Sequence, residues 1–313
     1  MPGTLTPAPL SEGEGIYAGR FAPSPSGPLH FGSLIAAVGS CLDARTHGGR
    51  WLVRMEDVDE PRCSQAHADE ILRVLEACGF EWDGEVVHQS RRKELYQAAL
   101  DRLLQNGHAY PCACTRREIA DSSLNGIEGP VYPGTCRAGL AGRAPRAWRV
   151  RVGSEPVCFE DRLRGRHCQN LEADIGDFVI RRADGFFAYQ LAVVVDDHEQ
   201  GITHVVRGAD LLASTPRQIH LQRLLGHATP AYLHLPVAVN EHGQKLSKQT
   251  LAAPLEANQA GPALVAALRF LGQRPPPDLQ AASIAEIWQW ATANWALPAD
   301  GLLPSSVSPM PSM

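Results

Sequence analysis

The stretch that most narrows what this chain can fold into is RFAPSPSGPLHFGS, Arg20 to Ser33. The apolar segment Ile16 to Phe21 leads into it and reads as a strand. Pro23, Pro25, Gly27 and Pro28 then forbid regular structure, because proline fixes φ and removes a backbone donor. From Phe31 onward Leu34, Ile35, Val38, Cys41 and Leu42 recur at helical spacing. The layout is strand, rigid loop, helix, with His30, Gly32 and Ser33 at the helix start. Free N–H groups and a positive dipole end suit phosphate there, and Gly32 lets a flat base press against the backbone. By itself H-x-G-S is most simply an ordinary strand-to-helix connection with a capping serine.

It does not stand alone. Leu235 to Val239 reads as a second apolar strand, followed by a turn at Asn240 to Gly243 and by KLSKQ, Lys245 to Gln249. Two lysines three apart on a glycine-led loop can reach one polyphosphate; singly they would be solvated surface groups. Together the two stretches resemble the HIGH and KMSKS signatures of class I aminoacyl-tRNA synthetases. RFAPSPSGPLHFGS, RMEDVD (Arg54 to Asp59) and VVRGADLLASTPRQ (Val205 to Gln218) resemble the glutamyl branch. The resemblance covers about residues 16 to 255, with the motifs in the order that family requires.

A chain of 313 residues can bury a large core and hold one catalytic domain with an insertion. Its apolar and charged fractions are those of a soluble globular protein, and no apolar run is long enough to span a bilayer. Residues 1–15 lack the basic start and apolar run of a signal peptide and read as a flexible tail. A cytoplasmic location is expected, with the eight cysteines reduced and available to metal rather than disulfides. A net charge of −5 argues against a generic nucleic-acid binder. Between Cys112 and Cys168, however, ten Arg stand against six Asp or Glu. A basic insert on an acidic body is expected if the insert faces RNA phosphates, although chance clustering of surface arginines gives the same count.

Beyond the first helix, Trp51 to Met55 reads as a strand. Ile71, Leu72, Leu75 and Cys78 mark a helix stopped by Gly79, Val86 to His88 a third strand, and Arg91 to Asn106 a helix stopped by Gly107. Such alternation implies parallel βαβ units and a doubly wound, Rossmann-type α/β sheet. Ligands of such sheets bind beyond the carboxyl ends of the strands, where Arg20, Glu56 and the first loop fall. Tyr110 to Gly185 break the pattern. They are rich in Gly, Arg and Cys and carry short strands at Ala147 to Val152, Val157 to Glu160 and Phe178 to Arg181, an inserted β-rich module. The α/β pattern resumes with a helix around Tyr189 to Asp196, a strand at His204 to Arg207 and a helix at Leu211 to Leu225. A helix at Ala263 to Leu271 follows, and Ser283 to Glu286 is a capping box opening one with Ile287, Trp288 and Trp295. The expected segments are a tail (1–15), the first half of the catalytic domain (16–109), the insert (110–187), the second half with the lysine loop (188–255), a short helical part (256–302) and a frayed tail (303–313).

The resemblance implies a chemistry that joins a carboxylate to the α-phosphorus of ATP and expels pyrophosphate. It assigns His30, Lys245 and Lys248 to phosphate contact and transition-state stabilisation, with Gly32, Ser33 and Ser247 also at ATP and Mg²⁺ accompanying it. Ser33 stands where many synthetases carry a second histidine, which leaves more to His30 and the lysines. For L-glutamate the resemblance implies carboxylate contacts from Arg20 and Arg207, an ammonium partner in Glu56, a wall and donor in Tyr189, and contacts from Phe21, Ala22, Pro23 and Ser24. Arginine suits carboxylate because its fork bonds both oxygens; glutamine's amide would leave a guanidinium half-paired. Taken singly, each of these could equally be a surface ion pair, such as Arg207 with Asp210.

Cys112, Cys114 and Cys136 offer three thiolates, and one more donor would complete tetrahedral Zn²⁺. Small buried cysteines in a β module would give the same pattern. Small glutamyl-like members of the family pair C-x-C with Y-x₃-C and use the tyrosine. The resemblance therefore implies Tyr132, with His108, Cys158, His167 and Cys168 as rivals; such a zinc would be structural. Cys41, Cys63 and Cys78 fall in or beside helices and read as core or neutral.

About sixty residues follow the lysine loop, enough for a small helical cap and too few for the anticodon-binding domain of a full glutamyl-tRNA synthetase. The short family with this layout is the glutamyl-queuosine tRNA(Asp) synthetases. They activate glutamate without tRNA and attach it to the cyclopentenediol of queuosine in the anticodon of tRNA(Asp). The implied partners are L-glutamate, ATP and tRNA(Asp) carrying queuosine, acting on a monomer away from membranes. A truncated glutamyl-tRNA synthetase esterifying the tRNA 3′ end and a non-catalytic tRNA-binding paralogue are the alternatives. His30, Arg20, Glu56 and both lysines speak against the second. A small-molecule nucleotidylyltransferase shares the H-x-G helix start but needs no zinc-sized insert.

Overall fold

The computed structural model describes residues 16–122, 125–126, 129–238 and 254–297. Strand and helix alternate from the start: β1 (Ala18–Phe21), α1 (Phe31–Thr46), β2 (Arg50–Met55), α2 (Gln65–Ala77), β3 (Val87–His88) and α3 (Lys93–Gln105). In α1 the apolar positions Leu34, Ile35, Val38, Cys41 and Leu42 are buried. The helix α2 starts where the Ser64 side chain accepts from the His67 N–H. The strands β1, β2 and β3 pair in parallel, as the βαβ reading requires.

The inserted region follows as β4 (Ala109–Cys112), α4 (Arg116–Ser122), β5 (Asn125–Gly126), β6 (Gly129–Pro130), β7 (Ala147–Val150), β8 (Val157–Asp161), β9 (Gly165–Gln169), α5 (Leu171–Asp174) and β10 (Val179–Arg181). The strands β10, β7 and β4 form an antiparallel sheet. The β8–β9 hairpin stands outside that sheet. After α6 (Tyr189–Glu199) come β11 (His204–Gly208), α7 (Thr215–Leu225), β12 (Ala231–Leu235), α8 (Ala260–Phe270) and α9 (Ile284–Asn294). The order of the second sheet is β11-β12-β8-β9. The Thr203 N–H donates to Ala18 O at 3.0 Å and the Ala18 N–H to Thr203 Oγ1 at 2.9 Å, so the two sheets meet at β1 and β11. The resulting order, β3-β2-β1 and then β11-β12-β8-β9 outward from β1, is that of a doubly wound sheet with a hairpin added at one edge.

One large core joins α1, the first sheet and the C-terminal helices α8 and α9; a second joins α3, α6 and α7 to Val150, Leu171 and Ile180 of the inserted region. The helix α1 lies close on the second sheet: a Cβ at Gly39 would stand 2.5 Å from Leu235 Cδ1. The capping box of α9 forms in both directions between Ser283 and Glu286.

Three expectations need correction. The strand expected at Leu235 to Val239 is β12, which ends at Leu235. Its parallel partner β11 ends at Gly208, opposite Leu235, and Pro236 has no N–H to extend the ladder. The helix expected from Leu211 begins as a tighter 3₁₀ segment, Ala209–Ser214, and becomes α-helical at Thr215, where Pro216 suits the first turn. Finally, Cys158 and Cys168 are directly opposed in the β8–β9 register, with Cα atoms 4.1 Å apart, and form a disulfide. The expectation of eight reduced thiols fails there, and these two are no longer rivals for a metal.

Candidate active site and cysteine cluster

The carboxyl ends of β1, β2, β11 and β12 open onto a cavity of about 490 Å³, within the usual range for small-molecule sites. Its lining contains Arg20, Phe21, Ala22, Pro23 and Ser24 from the end of β1 and the loop after it. It also contains His30, Gly32 and Ser33 from the start of α1, Glu56 after β2, Tyr189 at the start of α6, and Arg207 in β11. Residues far apart in sequence thus converge because the doubly wound topology brings strand ends to one edge. Backbone bonds fix the loop: the Glu56 N–H donates to Pro23 O at 2.9 Å and the Leu255 N–H to Leu29 O at 2.9 Å. Lys245, Ser247 and Lys248 lie outside the described residues.

At the mouth of α1, His30 is the N-cap and its Nδ1 accepts from the Ser33 N–H at 3.3 Å. A neutral ring then carries its proton on Nε2, which faces Ser33 Oγ at 3.2 Å. The serine in place of a second histidine therefore orients the first.

Deeper in, a charged cluster holds the floor. Arg20 Nε donates to Asp197 Oδ1 at 3.1 Å. Arg54, fully buried, donates to Asp197 Oδ1 at 2.8 Å, Glu56 Oε1 at 3.2 Å and Gln200 Oε1 at 2.7 Å. Burial raises the Asp197 carboxyl, but Arg20 and Arg54 outweigh it and hold it below the ordinary range. Burial also raises Glu56, and there it prevails over Arg54 and Arg20 with Asp197 adding to it. Tyr189 is pushed up to about 12 by burial and by Glu56, against Arg207 and Arg20, so its hydroxyl stays a donor.

Arg207 is 5% exposed. Its Nε donates to His234 Nε2 at 3.1 Å and its Nη2 to Thr215 Oγ1 at 2.8 Å, so it is not paired with Asp210. Its Nη1 is buried and has no hydrogen-bond partner among the described residues. An orphaned guanidinium nitrogen on a cavity-lining side chain is what an anionic ligand would satisfy. With Arg20 and Arg54 set against Glu56 and Asp197, Arg207 leaves one surplus positive charge, matching a ligand of two carboxylates and one ammonium. Sequence reasoning missed Arg54, Asp197, Thr215 and His234. Arg54 inside the apolar run WLVRM and Asp197 after VVV were the signals, because a charge within a buried run must be paired.

In the inserted region, Cys112, Cys114 and Cys136 bring their sulfurs within 4.8 Å of one another. Tyr132 Oη is 3.4 Å from Cys112 Sγ and 3.7 Å from Cys114 Sγ, and Cys114 Sγ is 3.6 Å from Cys136 Sγ. Tetrahedral ligands at about 2.3 Å from a metal stand about 3.8 Å apart, so this donor set fits a four-coordinate ion. Gly176 lets the chain approach Tyr132: it has φ +72°, and a Cβ there would stand 2.5 Å from Tyr132 O. Arg149 places its guanidinium carbon 3.9 Å over the Tyr132 ring and donates from Nε to Cys112 Sγ at 3.4 Å, offsetting anionic ligands. The cluster does not include His108 or His167.

Parallel strands, a proline loop feeding a helix start, and convergent arginines in the cleft define the class. The family model for class I tRNA synthetases (E and Q), catalytic domain, matches residues 18–275. A glutamate-tRNA synthetase structure from Elizabethkingia anophelis shares the fold, with TM-score 0.74 and 22% identity over 90% of this chain and 66% of its own, just under two thirds of its length. Glutamyl-Q tRNA(Asp) synthetases are far more similar. That of Dechloromonas aromatica is 63% identical over 90% of this chain and 95% of its own. That of Aromatoleum aromaticum is 60% identical over 90% and 89%. The chain belongs to the glutamyl-Q tRNA(Asp) synthetase family.

Proposed function

We propose that the chain activates L-glutamate with ATP, without tRNA, and transfers it to queuosine in the anticodon of tRNA(Asp). The observation that carries the glutamate reading is the unpartnered Nη1 of Arg207 in a cavity that also holds Arg20, Glu56 and Tyr189. Arg20 and Arg207 take the two carboxylates, Glu56 the ammonium, and the Tyr189 hydroxyl donates to the ligand. A glutamate carboxylate oxygen attacks the α-phosphorus, the bond to the β-phosphate bridge breaks, and pyrophosphate leaves with its electron pair. Negative charge building on the phosphates meets the N–H groups at the start of α1, the His30 Nε2–H, and the lysines Lys245 and Lys248. Gly32, Ser33 and Ser247 contact the nucleotide, and Mg²⁺ accompanies it. In the second step a hydroxyl of the queuosine cyclopentenediol attacks the acyl carbon; AMP leaves, and the hydroxyl proton is lost.

Cys112, Cys114, Cys136 and Tyr132 hold Zn²⁺, which when bound staples the inserted region. All four positions come from protein, so the ion is structural. We place the enzyme in the cytoplasm as a monomer; no described helix is long and apolar enough to cross a membrane. The deciding assay is glutamate transfer to tRNA(Asp) with and without queuosine, using tRNA lacking its CCA end as a control. Labelling that needs queuosine and survives loss of the 3′ end supports the reading; labelling that needs the 3′ end overturns it.

A further inference from the structure

Arg207 is aimed by a buried polar chain that never reaches the cavity. Asp161 sits at the end of β8, where β8 pairs with β12 through Tyr232 and Asp161. Its Oδ2 is 2.6 Å from His234 Nδ1 and accepts from the His234 N–H at 3.0 Å. His234 Nε2 in turn faces Arg207 Nε at 3.1 Å. The guanidinium can only donate, so Nε2 must be the acceptor; the ring proton is then on Nδ1 and goes to Asp161. Thr215 Oγ1 accepts from Arg207 Nη2 at 2.8 Å, with Leu211 O a longer second acceptor at 3.4 Å, and Thr215 Oγ1 lies 3.1 Å from His234 Nε2. His234 and Thr215 are completely buried, Asp161 is 4% exposed, and none of the three lines the cavity.

We infer that Asp161, His234 and Thr215 are positioning residues that fix the tautomer and two nitrogens of the Arg207 fork, so that Nη1 alone is presented to a substrate carboxylate. The inference rests on the reading of Arg207 as a glutamate carboxylate contact. Without an acceptor at Nε2 the guanidinium would rotate to find one, and the cavity itself holds Glu56 and Asp210 as competing anions. Arg207 needs neutral acceptors, because an anion beside it would cancel the charge meant for the ligand. A neutral imidazole meets that need, with the carboxylate one ring further away. The charged and titratable groups around His234 agree with a neutral ring. Asp161 on β8 faces Nδ1, Arg207 on β11 faces Nε2, Arg164 of the hairpin donates to His234 O at 3.0 Å, and Tyr232 stacks along β12 at 6.0 Å. Burial pushes the imidazole down from its ordinary value, and Arg207 and Arg164 push the same way against Asp161.

The test is glutamate-dependent ATP–pyrophosphate exchange by the full chain. In His234→Phe, which keeps a ring and removes the acceptor, glutamate KM should rise about tenfold while ATP KM stays within about twofold. His234→Gln, which can return an oxygen near Nε2, should recover most of that loss. In an Arg207→Gln background His234→Phe should add nothing further, since the group it positions is gone. Should His234→Phe fail to fold, Thr215→Val carries the test by the same selective rise in glutamate KM. Equal losses in ATP and glutamate KM for the Phe and Gln variants alike would reduce His234 to a packing role and overturn the proposal. A silent Thr215→Val would overturn it as well. If Arg207→Gln raises glutamate KM but His234→Phe does not, the positioning proposal fails alone; if Arg207→Gln leaves it unchanged, the glutamate reading of Arg207 fails and takes the proposal with it. A wild-type acid limb in glutamate KM near pH 6.5 that vanishes in His234→Gln would show a ring that charges in the working range, contrary to a fixed neutral acceptor.

Discussion

Arg20 and Arg207 are prepared for a ligand in opposite ways. Arg20 is tied to Asp197, whereas Arg207 is held by neutral groups and keeps one nitrogen unpaired. A substrate carboxylate therefore gains most at Arg207. Arg207→Gln should lower kcat/KM for glutamate by about 30- to 1,000-fold, the effect of unpairing one charge in a buried polar contact; steady-state exchange at varied glutamate checks it, and a loss below threefold would contradict the assignment. The sequence made Arg20, Glu56, Tyr189 and Arg207 legible because each stands in a motif at a strand or helix end. It left Arg54 and Asp197 unread, although one stands inside an apolar run and the other just after one, because motif reading follows resemblance whereas their role is to balance charge inside the fold. His234 was not legible at all: the expected strand began one residue later, at Leu235, and its partners Asp161 and Arg207 lie 73 and 27 residues away.

Among the elements, the antiparallel β4-β7-β10 sheet depends on one carboxylate. Asp177 accepts from Arg137 Nε and Nη2, both at 2.6 Å, from the Val152 N–H at 2.9 Å and from the Tyr110 hydroxyl. Burial alone would raise this carboxyl, but the bonds from Arg137, Tyr110 and Val152 outweigh it and hold it below its ordinary value. A lowered folded-state value means that the stabilisation is fully present above the unfolded value of about 4 and fades as pH falls through the folded one. Asp177→Asn should cost about 2 to 4 kcal/mol at pH 7, nearer the lower figure because solvent reaches Arg137. The difference from wild type should shrink as pH drops below about 4. Urea unfolding across that range checks it; a pH-independent difference would show that Asp177 acts by shape rather than charge. The strands β7, β8 and β10 were legible as short apolar runs, but not β4 or β9, nor the pairing of the β8–β9 hairpin with β12. Nothing in local alternation says which sheet a strand will choose, because pairing is decided by partners distant in sequence.

Across the whole molecule, the parallel βαβ arrangement and the site at the strand ends followed from alternation of strand and helix, because that connectivity leaves few ways to pack. The cysteine cluster has its own small core with Tyr110, Ala113 and Tyr132, apart from the two cores that build the cavity. The two proposed half-reactions should therefore separate. Lys248→Ala should abolish exchange with the circular dichroism spectrum and melting transition retained, since the task proposed for it lies in the transition state; near-normal exchange would contradict that role. Cys114→Ser should behave in the opposite way. Losing one of four donors should release the metal, measured by atomic absorption on the purified protein. Transfer of glutamate to tRNA should then fall by at least about tenfold while exchange falls less than threefold, because the disordering starts in a satellite core whereas the cavity floor rests on Arg54, Asp197 and the parallel strands. Unchanged metal content would remove the zinc assignment, and equal loss of both activities would show that the cluster and the cavity fold as one unit.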